Sequence, residues 1–295
     1  MSVILMILLM GIPQLMSAGE RDALRVLVLG AHPDDCDGGM GGTAALMAQM
    51  GCAVKFVSVT SGDAGHQSQG GGALACRRRA EAAEAGRRFG IAEYITLDNH
   101  DAELVPSLDV RHQIIRLIRE LDADLVLTHR LNTYHPDHRY TAQVVQDAAY
   151  LVIVPNVCPD TPPSKKNPVF MYLQDGFQRP NPFRPDVSII IDETIDKKMY
   201  ATMAHESQMF EWGPWTGNHE AGVALVPKDA AAREKWFLEN RRARPLSDEV
   251  RKSLAKWYGE EAAKSAKYAE SFEVCEYGYQ PSDEEIRDLF PMLKK

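Results

Sequence analysis

Short apolar runs, each stopped by glycine, proline or a carboxylate, recur along the first half of the chain. Residues 26–30 (Val-Leu-Val-Leu-Gly), 53–59, 94–97 and 124–128 have the length and β-branched content of buried strands. Between them, 43–50, 75–89 and 108–121 repeat apolar positions at helical spacing, and Gly51 and Gly90 end the first two. Strands alternating with helices of this length predict an α/β fold, a Rossmann-like three-layer sandwich with a mostly parallel, right-handed sheet. A further helix is predicted over 136–152, where Ala142, Val145, Ala148, Ala149 and Val152 share a face. The proline-rich stretch 155–185, broken by a strand over 169–173, reads as an excursion shaping the mouth of a site. A strand over 187–191, a helix carrying His205 and an amphipathic helix over 247–272 complete the pattern.

Two strand ends release an unusual vocabulary. The first run breaks at Gly30 into Ala31-His32-Pro33-Asp34-Asp35, and the run 125–128 is followed by Tyr134-His135-Pro136-Asp137-His138. Ligands of open α/β sheets bind beyond the carboxyl ends of the strands. His32 and Asp35 are ligand types suited to zinc or a similar divalent ion, and a tight turn brings both onto one ion while Asp34 points elsewhere. Pro136 suits a first helical position, so His135 falls at the N-cap and projects with His138 from one opening turn. The two clusters together make a three-ligand set, His32, Asp35 and His138, with an open fourth position as in catalytic zinc sites. Either cluster alone is equally compatible with an Asx-rich turn bearing a surface histidine.

Composition narrows the partners. The 295 residues are 45% hydrophobic and 25% charged, an ordinary globular balance, and a net charge of -8 argues against a nucleic-acid partner. The five cysteines include no C-x-x-C pair, and Cys36, nearest the first cluster, reads as a packed, inert thiol. Residues 3–16 are too short an apolar run to span a bilayer, so no stable membrane span is expected. They fit the core of a signal peptide over 1–19, with Ser17-Ala18-Gly19 for cleavage and a single domain over 24–295. Export is the expectation and a cytoplasmic protein the alternative; a homo-oligomer is left open. The glycine-rich segment 38–42 lacks P-loop spacing and reads as backbone passing close to the metal site. In the loop 60–72, His66 reads as a solvated side chain. Phe210 to Trp215 is a second mouth segment, whose aromatics either stack on a sugar or pack.

These motifs resemble the LmbE/PIG-L family of zinc-dependent N-acetylglucosaminyl deacetylases. The resemblance extends to Arg78-x-x-Glu81, His205-Glu206-Ser207-Gln208 and Ala269-Glu270-x-Phe272. Cys36 stands where the family usually has Glu, which bears on a contact behind the ligands. The resemblance implies an LmbE-like fold and removal of an N-acetyl group from a sugar or glycoconjugate. Zinc on His32, Asp35 and His138 lowers the pKa of its water to about 7. Asp34 is the implied general base, and His135, as an imidazolium oriented by Asp137, protonates the leaving amine. Arg78 and Asp101 are the implied contacts to sugar hydroxyls, although Asp101 equally fits a turn. His205 is either a third substrate contact or a buried core histidine. An amidase acting on another C–N bond, or a silent carbohydrate-binding homologue, remain the competing readings.

Overall fold

The computed structural model describes residues 23–240 and 245–294, so the expected signal segment 1–19 lies outside the described residues. The first half alternates as the pattern predicts: β1 (Arg25–Gly30), α1 (Asp35–Gln49), β2 (Ala53–Thr60), α2 (Gly71–Phe89), β3 (Glu93–Asn99), α3 (Leu108–Leu121), β4 (Leu125–Thr128) and α4 (Pro136–Leu151). The second half carries β5 (Val169–Leu173), β6 (Val187–Ile190), α5 (Ile195–Thr202), a π-helical turn (Ser207–Trp212), α6 (Gly213–Ala224) and α7 (Ala230–Asn240). It closes with α8 (Asp248–Tyr258), α9 (Glu260–Ser265), β7 (Ala269–Gly278) and α10 (Asp283–Leu289).

All the described strands join one sheet in the order β3-β2-β1-β4-β5-β7-β6. Neighbours from β3 to β5 pair in parallel, and β7 runs antiparallel between β5 and β6. Alternation along β1 feeds two cores. Val26 and Val28 pack with Met40, Ala44 and Phe89 of α1 and α2, while Leu27 and Leu29 pack with Ile114, Ile118 and Val145 of α3 and α4. A strand apolar on both faces is what a central parallel strand requires. The expected three-layer sandwich is therefore the observed architecture.

Three elements differ from expectation. His205 falls between α5 and the π-helical turn instead of on a helix. The predicted helix over 247–272 is divided: α8 stops before Gly259, whose φ of +87° an L-residue resists, and α9 follows it. From Ala269 the chain becomes β7, hydrogen-bonded on both edges. The small apolar residues there continue a helical rhythm, and only strands on both sides convert them to a sheet. Helix α1 begins at Asp35 rather than at 43, so the glycines lie inside it. A Cβ on Gly39, Gly41 or Gly42 would come within 2.8 Å of Leu173, Phe89 or Ile191 respectively. These glycines serve close helix packing, while Gly38 and Gly39 also line the cleft, as the expected passage of backbone close to the site requires. Buried Glu270 also accepts the Gly42 and Thr43 amides at 2.9 and 2.7 Å, while Lys198 bridges Gly38 O and Glu270.

Candidate active site

From β1 the chain proceeds outward to β2 and β3, then returns to β4 on the opposite side of β1. The crevice at that switch point, beyond the carboxyl ends of β1 and β4, receives both His-Pro-Asp clusters. His32 Nδ1 and His138 Nε2 face each other at 3.2 Å. An Asp35 oxygen lies 3.4 Å from the first and another 3.3 Å from the second. Tetrahedral ligands about 2.0–2.1 Å from zinc stand about 3.3–3.4 Å apart, so this triangle has the size a divalent ion needs. Among the described residues, His32, Asp35 and His138 form one of two such groupings, the other being His32, His135 and Asp137.

The supporting contacts explain why these atoms converge. Asp35 accepts the His32 amide at 2.7 Å, which closes the turn. Asp101 Oδ1 stands 3.0 Å from His32 Nε2, and Asp137 Oδ2 lies 3.4 Å from the same nitrogen. A carboxylate behind a ligating imidazole fixes its tautomer and ring plane. Burial alone would lower the His32 pKa, but Asp101, Asp137 and Asp35 outweigh it and hold it well above the usual value. For Asp35 burial pushes upward, and the His138 and His129 imidazoles more than reverse it, so its carboxyl is held well below the ordinary range.

Asp34 is pushed the other way. Burial raises its pKa despite the opposing Arg78 charge. It occupies the N-cap position of α1 without capping it, at φ +124°, a region costly for any residue with a Cβ. Its amide donates to Tyr94 Oη at 2.9 Å, and Arg78 Nη2 reaches its Oδ1 at 3.4 Å. Two neighbouring carboxyls are thus separated in environment: Asp35 inward among imidazoles, Asp34 at the wall of the cleft.

The remaining expected residues fall in different places. His135 caps α4, accepting the Asp137 amide on Nδ1 at 3.2 Å, which leaves the ring proton on Nε2. Burial, then the neighbouring His32, lowers its pKa from the ordinary histidine value. The Asp137 carboxylate does not orient His135; it accepts the Ala102 amide at 2.7 Å and faces His32. Arg78 is 2% exposed. Its guanidinium donates to Pro33 O at 2.7 Å and to Gly62 O at 3.1 Å, a buttress for the Asp34 turn, and the side chain lines the cleft together with Asp101. Glu81, its partner in the Arg-x-x-Glu motif, clamps Ser207 through its amide at 2.9 Å and hydroxyl at 2.6 Å.

His205 is fully buried and pairs with Asp37 at 3.0 Å; it is the core histidine and does not line the cleft. His66, expected in solvent, is buried and bonded to Glu211 at 2.8 Å. Together with Arg77 on Glu211 and Gln208 on Gly65 O, this pins the loop 60–72 to the π-helical turn. Cys36 is buried, its thiol donating to Val28 O at 3.4 Å and Val57 O at 3.6 Å; burial beside Asp37 raises its pKa well above normal, as an inert thiol requires.

Sequence reasoning missed His129. The register sets Thr128 opposite Leu29, so the next residue stands beside the turn after β1. Its Nε2 accepts the Ala31 amide at 3.0 Å and its ring stacks on His138 at 4.0 Å, fixing that ligand's plane. A histidine immediately after an apolar strand was the available signal.

The cleft has a volume of about 860 Å³. Phe177 from the proline-rich excursion and Trp212 from the π-helical turn line its outer part, the latter stacked on Trp215 at 5.2 Å. Phe210 instead packs on Phe237. Among the described residues no helix is long and apolar enough to cross a membrane.

Fold and site together define a class: an LmbE-like α/β protein with a His/Asp cluster suited to a divalent ion at its switch point. The sequence model of the PIG-L family, described as GlcNAc-PI de-N-acetylase, matches residues 27–149. Diacetylchitobiose deacetylase of Thermococcus kodakarensis is 30% identical over 208 residues, 66% of this chain and 74% of that protein. A probable N-acetyl-alpha-D-glucosaminyl L-malate deacetylase 2 of Bacillus cereus is 29% identical over 193 residues, 62% of this chain and 83% of that one. The solved structure of N,N'-diacetylchitobiose deacetylase from Pyrococcus horikoshii, complexed with its inhibitor MPG, superposes with a TM-score of 0.62 at 26% identity, covering 86% of this chain and 84% of that chain. The chain belongs to the PIG-L (LmbE-like) family.

Proposed function

We propose that this N-deacetylase removes the acetyl group from an N-acetylglucosamine-type sugar or glycoconjugate, with zinc held by His32, Asp35 and His138 and with Asp34 as general base. The observation that carries the reading is the 3.2–3.4 Å triangle of ligand atoms beside a carboxyl that is not part of it. Zinc bound there supplies a Lewis acid that acidifies water and polarises the amide carbonyl.

The protein's own groups supply the rest. Asp34, whose pKa burial raises, is suited to take the proton of the attacking water and to pass it to the departing amine. His135, with its proton on Nε2, donates a hydrogen bond to the carbonyl oxygen as charge develops there. Asp101 and Asp137 hold His32, and His129 holds His138. Arg78 anchors the Asp34 turn through Pro33 O, and the cleft has room for more than a single sugar ring. The sugar reading is supported by the family, by the names of the relatives and by the place of Arg78 and Asp101 in the wall of the cleft.

The test pairs metal content with acetate release. The purified protein should carry close to one zinc per chain and release acetate from N-acetylglucosamine derivatives. His138→Ala should lose most of both, because two ligands hold zinc poorly. Unchanged metal in that variant refutes the ligand set. Turnover of thiol-conjugate amides without acetate release would favour the amidase alternative.

A further inference from the structure

Asp34 has a backbone conformation that nothing in its own sequence favours, and besides Arg78 on Pro33 O a hydroxyl from β3, two strands away from β1, meets its amide. Tyr94, in β3, accepts the Asp34 amide at 2.9 Å and donates to Asp37 Oδ2 at 3.0 Å. The other oxygen of fully buried Asp37 contacts His205 Nε2 at 3.0 Å. A chain of contacts therefore runs His205–Asp37–Tyr94–Asp34, and neither Tyr94 nor His205 lines the cleft. The Tyr94 ring is fixed independently, edge-on to Phe56 at 5.4 Å.

We propose that Tyr94 is a positioning residue for the reaction: its hydroxyl, oriented by Asp37 and His205, holds the Asp34 turn so that the Asp34 carboxyl faces the cleft instead of capping α1. The inference rests on Asp34 acting as the base. It assigns a role to the His-x-Ser-Gln histidine that substrate contact does not explain. Burial and Asp37 raise the Tyr94 pKa well above normal, so the hydroxyl keeps the proton it donates. The part-buried Asp34 amide loses its partner if that oxygen is removed, and a turn at φ +124° then has a cheaper conformation available.

The experiment is a double-mutant cycle in the zinc-loaded full chain, with N-acetylglucosamine as the probe substrate. Tyr94→Phe keeps the ring packing and removes only the hydroxyl. It should lower kcat by about 10- to 100-fold, leave KM within about threefold, and leave zinc content unchanged. In the Asp34→Asn background the same change should cost nothing further, because the group it positions is gone. Equal losses from Tyr94→Phe in both backgrounds, or loss of zinc in step with activity, overturn the proposal. Wild-type turnover in Asp34→Asn alone would overturn the general-base reading and this inference with it, and is a distinct outcome. If Tyr94→Phe fails to fold, His205→Gln makes the same comparison from the far end of the chain. It should give a smaller kcat loss that again vanishes in Asp34→Asn; a loss that persists there refutes the inference.

Discussion

Asn substitution of the two adjacent aspartates, one at a time, should separate metal binding from chemistry. Asp35 makes four close approaches: the His32 amide at 2.7 Å, His32 Nδ1 at 3.4 Å, and His138 and His129 Nε2 at 3.3 Å each. Asparagine can still accept from the His32 amide, but its NH2 then faces imidazole nitrogens where an anionic oxygen stood. Loss of an outer contact to a metal site typically costs 10–100-fold in affinity, and removal of a ligand should cost at least that. Asp34 lies outside the triangle, and its carboxyl contacts only Arg78 among the hydrogen-bond partners described for it. Asp34→Asn should therefore keep zinc and lose about 10²–10⁴ in kcat, or about 2.7–5.5 kcal/mol of transition-state stabilisation. The assay is elemental analysis of each purified variant, followed by acetate release with added zinc. If Asp34→Asn lost the metal while Asp35→Asn kept it, the roles would be reversed.

Three further outcomes follow from the surrounding structure. Glu270→Ala should cost about 3–5 kcal/mol in urea unfolding, because it strands the Lys198 charge and leaves the Gly42 and Thr43 amides without their carboxylate; a loss below about 1 kcal/mol would mean α1 closes its own ladder there. Gly62→Ala places a Cβ 2.5 Å from the Arg78 guanidinium at φ +69°, so it should destabilise by at least about 1–2 kcal/mol and lower kcat through Arg78; full activity would show that Arg78 does not support the Asp34 turn. His205 has a raised pKa, burial being outweighed by Asp37, so its stabilising contribution is complete below the unfolded value near 6.5 and is lost as pH rises through the folded value. The melting temperature should accordingly fall over that alkaline-going range, and His205→Gln should flatten the slope; an unchanged slope would place the titration elsewhere.

The chain by itself determined the alternation of strands and helices as far as α4, and with it the parallel sheet and the switch-point crevice. The His-Pro-Asp clusters at two strand ends were legible because ligand chemistry demands particular side chains at close spacing, and local turns bring them together. What only the tertiary structure decided is long-range. β7 became a strand because β5 and β6 offered hydrogen bonds on both its edges, a choice its local sequence does not make. His129 joined the site through register with β1, and His66 left solvent because Glu211, 145 residues away, accepted it. Arg78 and Asp101 both line the cleft, but only the tertiary structure shows that they also hold Pro33, Gly62 and His32. A sequence states which polar groups exist; which of them remain free for a ligand depends on the partners that folding supplies to the others.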